Sequence, residues 1–165
     1  MNNHGISLIR ESLQLRVSSI STIEKDPLLI IDAANVVGSV PNGWWRNRFA
    51  AAIRLRDSLR SLHAIGLRRL KPPVDVLLVT EGDACGVGSS EFVAVVGAWG
   101  SGDDEIVRQA RAASGRNVVV VTSDVELQER ISALGATYIG SGRFTRILEE
   151  FSQGDLSYSF RGNLD

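Results

Sequence analysis

The chain has 165 residues, 44% apolar and 22% charged, with a formal net charge of −1. That is enough for one domain with its own core and too balanced to bind a polyanion by overall charge alone. One cysteine, Cys85, leaves no disulfide framework or thiolate zinc site, and two distant histidines, His4 and His63, argue against a histidine-rich metal centre.

Met1 to Asp26 is Ser-rich and lacks the apolar region of a signal peptide, and no apolar run reaches bilayer length. We read residues 1–26 as a poorly ordered appendage, 27–151 as the domain and 152–165 as a polar tail, in a cytoplasmic protein without membrane contact. Pro27 opens a first strand, Leu28 to Asp32. After the turn signal Pro41-Asn42-Gly43, the residues Trp45, Phe49, Ala52, Leu55, Leu59 and Leu62 recur at steps of three and four, one face of a helix. Val74 to Thr80 reads as the second strand, Gly82 to Ser90 as a loop and Glu91 to Val96 as the third strand. Ser101 is placed to cap a helix running to about Ala113, with an acid at its third position. Asn117 to Thr122 is the fourth strand, Asp124 to Leu134 a helix, Ala136 to Ile139 a short fifth strand, and Arg143 to Phe151 the last helix. Strands alternating with helices imply an α/β domain with a parallel sheet between helical layers.

Carboxylates follow each strand but the last: Asp32 after the first, Glu81 after the second, Asp103, Asp104 and Glu105 after the third, Asp124 after the fourth. Each has a local explanation, as a helix cap, a turn former or a complement to a helix dipole. Their repetition carries the argument. Open parallel sheets bind ligands outside the carboxyl ends of their strands. Acids gathered there repel one another and call for a cation. Hard divalent cations take oxygen ligands, and a pair of them can drive displacement at a phosphodiester. No Ser-His-Asp set is apparent, and Cys85 lacks a basic activator nearby.

Three motifs carry a family resemblance: Ile31-Asp32-Ala33-Ala34-Asn35-Val36, the stretch Gly100-Ser101-Gly102-Asp103-Asp104-Glu105-Ile106, and Val121-Thr122-Ser123-Asp124. Together they resemble the NYN family of the PIN-like nuclease superfamily, over about Leu28 to Leu148. The resemblance implies a three-layer α/β/α domain with strand order 3-2-1-4-5 and metal-dependent cleavage of RNA with Mg²⁺ or Mn²⁺. Asp32, Asp103, Asp104 and Asp124 match the metal-binding, catalytic acids; Asn35, Glu81 and Ser123 match supporting positions. Two departures stand out. The acid after the second strand is Glu81 where Asp is commoner, and the tetrad Asp-Ala-Ala-Asn lacks the aromatic usually found beside the asparagine.

Between Pro41 and Pro73 lie eight basic residues against one acid, Asp57. Within that block, Trp44, Arg46 and Arg48 are candidates to grip an RNA strand by stacking and phosphate contact. Trp45 falls on the apolar stripe and reads as core, whereas Trp99 reads as a second exposed stacking residue. No G-x-x-x-x-G-K-[ST] loop is present, and the only lysines, Lys25 and Lys71, are misplaced for a phospho-receiver. A metal-dependent ribonuclease and a non-catalytic RNA-binding or regulatory module are the two readings that follow, with a nucleotide phosphohydrolase as a weaker third.

Overall fold

A computed structural model describes residues 25–41, 43, 46–67 and 69–154. The expected appendage up to residue 24, the tail from residue 155, and Trp44 and Trp45 lie outside the described residues. Five parallel strands form one sheet: β1 (Leu28–Asp32), β2 (Asp75–Thr80), β3 (Ala94–Gly97), β4 (Val118–Val121) and β5 (Thr137–Ile139). Their order is β3-β2-β1-β4-β5, the expected 3-2-1-4-5. β1 is central, with Leu28 in register with Asp75 on one side and Val118 on the other. A strand covered on both faces needs no polar alternation, and all five β1 residues are buried.

Helices cover both faces. On one lie α1 (Ala33–Gly38), α2 (Arg48–Ser58), the single turn α3 (Leu62–Ile65) and α6 (Ser141–Ser152); on the other lie α4 (Gly102–Ala112) and α5 (Val125–Ser132). The two-residue period of the strands sorts the core. Leu29, Ile31, Val76, Leu78, Val119 and Val121 pack with Leu55, Leu59 and Phe144 on the first face. Leu28, Ile30, Leu77, Val79, Val118 and Val120 pack with Ile106, Leu127 and Ile131 on the second.

Three expected elements differ. The helix expected through Leu62 ends at Ser58, because Leu59 N bonds Arg56 O and Leu62 N bonds Leu59 O, two tight turns that re-aim the chain into α3. Leu59 and Leu62 are still fully buried, but Phe49 is 41% exposed and leaves the stripe. The third strand starts at Ala94 and not at Glu91: Ser90 N bonds Val93 O, and Phe92 turns out to stack on His63 with ring centroids 5.4 Å apart. A six-residue helix, α1, follows β1 at once, with Asp32 as its N-cap. The last helix begins two residues before Arg143, at Ser141.

Candidate functional site

Strand alternation decides which side chains meet at the carboxyl edge. Continuing each strand's second-face series one step past its last apolar residue gives Leu28-Ile30-Asp32, Leu77-Val79-Glu81 and Val118-Val120-Thr122. Those three polar side chains therefore emerge on the side where α4 begins with Gly102 and Asp103.

Asp32 is the most buried of the acids, at 9% exposure. Its Oδ1 accepts from Asn35 N (3.1 Å), capping α1, and its Oδ2 accepts from the Thr122 hydroxyl (3.0 Å). Thr122 Oγ1 in turn accepts from Asp124 N (3.2 Å), so one hydroxyl fixes the exits of β1 and β4 together. Asp124 caps α5 through Leu127 N (2.8 Å). Asn35 Oδ1 accepts from Ser123 N (2.9 Å) and from the Ser141 hydroxyl (2.6 Å), while Ser123 Oγ accepts from Ser141 N (2.8 Å). Asn35 and Ser123 thus tie α1, the β4 exit and the start of α6 into one unit.

Glu81 reaches across to α4, where its Oε2 accepts from Gly102 N (2.8 Å). A Cβ at residue 102 would stand 2.7 Å from that same oxygen, so a side chain there would push the Glu81 carboxylate out of this position. Ser101 caps α4 as expected, its hydroxyl oxygen accepting from Asp104 N (3.4 Å).

Electrostatics show which acids share a field. Burial raises the Asp32 carboxyl from its ordinary 3.8 to about 6; the hydrogen bonds from Asn35 and Thr122 oppose the rise, and the charges of Asp103 and Glu81 add to it. Asp103 is also raised, first by partial burial and then by Asp124, against the opposing charge of Arg130, with Glu81 and Asp104 adding to the rise. Asp32, Glu81, Asp103 and Asp124 therefore form one mutually repelling group contributed by four chain segments. Asp104 is directed elsewhere, into an ion pair with Arg130 (2.6 Å), its own side chain 72% exposed. Glu105 turns along α4 to Arg108 and Gln109.

All these donors are oxygens, the set a hard divalent cation prefers. Among the described residues, no three Asp, Glu, His or Cys side chains already stand as a metal-holding group. Glu81 and Asp124 each place an oxygen on a helix N-terminus, and Asp104 is held by Arg130. Carboxylate oxygens carry more than one acceptor site each, and Mg²⁺ keeps several waters beside one or two carboxylates, so the donor chemistry fits such an ion without a ready-made cage.

Of the proposed RNA contacts, Arg46 and Arg48 are exposed, Arg48 being the first residue of α2. Trp44 lies outside the described residues. Arg56, from the same basic block, is bound to Asp57 and to the Gly88 carbonyl. Two clefts, of about 340 Å³ between α1, α2 and α6 and about 670 Å³ at the opposite end of the sheet, are lined by none of the four acids. Converging charge marks the edge.

Two residues of the network escaped the sequence reading. Thr122 sits inside the Thr-Ser-Asp motif but had no assigned role, although its place one step beyond a buried strand is the available signal. Ser141, fully buried, was hidden by starting the last helix too late; the Gly140-Ser141-Gly142 break was its only trace.

No protein-family model matches the chain, and no curated protein matches it in sequence. Solved structures do match. The chain shares the fold of Rae1 (YacP) from Bacillus subtilis. The alignment has a TM-score of 0.65 and covers 79% of this chain and 78% of that one at 20% identity. A tryptophan-to-leucine variant of the same protein gives a TM-score of 0.63 over 77% of each chain, also at 20% identity. Strand order, layers and this likeness together make the fold PIN-like.

Proposed function

We propose that the chain is a metal-dependent ribonuclease of the NYN type, holding Mg²⁺ or Mn²⁺ at its acidic sheet edge and hydrolysing RNA phosphodiesters in the cytoplasm. One observation carries the reading: Asp32, Glu81, Asp103 and Asp124 come from four segments to a single edge, where the charges of their neighbours add to the rise that burial imposes on the Asp32 and Asp103 carboxyls. A fold needing only stability would not gather like charges from four segments at the sheet's switch point.

Asp32, Asp103 and Asp124 are the residues that would hold the ion, with Glu81 at its margin and Asp104 completing the acidic turn from its pairing with Arg130. A divalent ion bound there would supply positive charge to the phosphate oxygens and activation of water. The chain's own residues do the positioning. Thr122 and the Asn35 backbone N–H hold the Asp32 carboxylate in one orientation, and partial desolvation keeps it poised to bind a cation or a proton. Asn35, Ser123 and Ser141 lock the two strand exits, so the spacing between Asp32 and Asp124 is held by hydrogen bonds between elements and not by loop conformation alone. Arg46 and Arg48 would meet phosphates flanking the cut.

The test is cleavage of mixed-sequence RNA by wild-type protein in Mg²⁺, in Mn²⁺ and in chelator, beside Asp32→Asn and Asp124→Asn. Asparagine caps helices about as well as aspartate, so both variants should fold, and each should lose activity by on the order of 100-fold or more. Wild-type protein that binds RNA but cuts nothing with either metal would make the chain a binding module. Undiminished cleavage by both variants would place the chemistry elsewhere.

A further inference from the structure

We propose that Trp99 is a base-stacking platform which seats one unpaired base of a single-stranded RNA beside the acidic edge, so that the site selects flexible single strands over duplex. The proposal rests on the ribonuclease reading for what the edge does, and on separate geometry for the stacking.

Trp99 is fully exposed, at 106% of its reference area, yet its backbone is not loosely held. The last β2–β3 pair is Thr80 with Gly97. Immediately beyond it, Ala98 N bonds Thr80 O (2.7 Å), and the Ala98 side chain is buried. Four residues later Gly102 N bonds the Glu81 carboxylate (2.8 Å). The two feet of this short arch stand on adjacent residues, Thr80 and Glu81, and Ser101 fixes its far side by capping α4. Trp99 and Gly100 form the top of the arch. An indole is thus lifted off the surface by a braced backbone, on the loop that supplies the acids.

Its surroundings suit a base better than a protein. Gly97, Gly100 and Gly102 flank it without side chains, and at 106% exposure the ring is covered by no neighbour. Val125, another exposed apolar side chain, follows β4, three strand spacings or about 14 Å away. Within the described loop 97–102 Trp99 is the one exposed large apolar side chain, so a protein partner would find one ring there and no interface core. A single aromatic ring matches the area of a single base, and every base offers a π-face. Four residues span at most about 14 Å, which keeps the seated base within a few nucleotides of a phosphate at Asp103. Bases in a duplex are already stacked and cannot reach the ring.

The experiment measures binding of a short labelled RNA in chelator, where no metal-dependent cut occurs, for wild type, Trp99→Ala and Trp99→Phe. Trp99→Ala should weaken single-strand binding roughly 5- to 150-fold, the effect of one lost stack, and Trp99→Phe should stay within about threefold of wild type. Moving one abasic nucleotide along the RNA should weaken wild type at one register and leave Trp99→Ala indifferent. An unchanged melting temperature for Trp99→Ala is the expected control, since the side chain touches no core. Equal binding by wild type and Trp99→Ala, equal losses on duplex, or no RNA binding by wild type would overturn the proposal. Cleavage is scored separately in Mn²⁺. Stacking without cleavage would refute the ribonuclease reading alone, and cleavage without any Trp99 effect would refute the stacking alone.

Discussion

Removing the charge of Asp32 should stabilise the metal-free protein. Its carboxyl is raised from 3.8 to about 6 by burial and by the charges of Asp103 and Glu81. The folded state therefore binds this proton more tightly than the unfolded state does. The stability contributed by the neutral acid is fully present below about pH 4 and is lost as pH rises through 6. Near pH 7.5 the ionised form costs about 3 kcal/mol, taking 1.36 kcal/mol for each pH unit of the difference. Asp32→Asn removes that cost: its Oδ1 can still accept from Asn35 N, and its amide can donate to Thr122 Oγ1 in place of the bond the hydroxyl gave to Asp32 Oδ2, so the melting shift that follows is an upper bound. A domain of this size shifts by about 2–4 °C for each kcal/mol, so chelator-treated Asp32→Asn should melt about 6–12 °C above wild type at pH 7.5. The gap should close towards pH 4. Scanning calorimetry across that range is the assay. Equal or lower melting of the variant at pH 7.5, with parallel pH profiles, would show that Asp32 carries no unfavourable charge and that the acids do not form a repelling group.

Asn35→Ala strips the acceptor from the buried Ser141 hydroxyl and from Ser123 N; it should destabilise by about 1–3 kcal/mol in urea unfolding. Gly102→Ala favours helix by propensity, but its Cβ would meet Glu81 Oε2 at 2.7 Å. It should therefore lower the melting temperature and weaken Mn²⁺ binding; a rise in melting temperature would show that the Glu81 contact is dispensable. Replacing Arg46 and Arg48 together by Ala should flatten the salt dependence of single-strand RNA binding by a log–log slope of about 1.4, as two phosphate contacts would, and by similar amounts for unrelated sequences.

The five strands were legible because four of them are apolar runs bounded by acids, Gly or Pro, as a parallel sheet buried on both faces allows; their order followed from the family resemblance and not from the runs themselves. The acids at the edge could be read for the same reason, since each follows directly on a strand or opens a capped helix. α1 was not legible: Ala33 to Gly38 is only six residues long, contains two valines, and takes its start from Asp32, which also ends the strand. The early end of α2 depends on i→i+3 bonds at Arg56–Leu62 that leave the apolar spacing intact, so periodicity could not reveal it. Side-chain commitments were invisible as well. Nothing in Ser-Gly-Asp-Asp-Glu tells that Asp103 stays in the acidic group while Asp104 turns to Arg130, because Arg130 arrives from another helix. Trp99 is exposed as expected, and the bracing of its loop required the structure.

A calorimetric titration of Mn²⁺ and Mg²⁺ into chelator-stripped protein is the most direct measurement of the central claim, that this edge binds a divalent cation through Asp32 and Asp124. The account predicts saturable binding by wild type, accompanied by a rise in melting temperature as the ion relieves the repulsion among the carboxylates. Asp32→Asn and Asp124→Asn should each weaken that binding at least about tenfold. Absence of binding at millimolar metal with an unchanged melt, or binding that both variants retain in full, would contradict it.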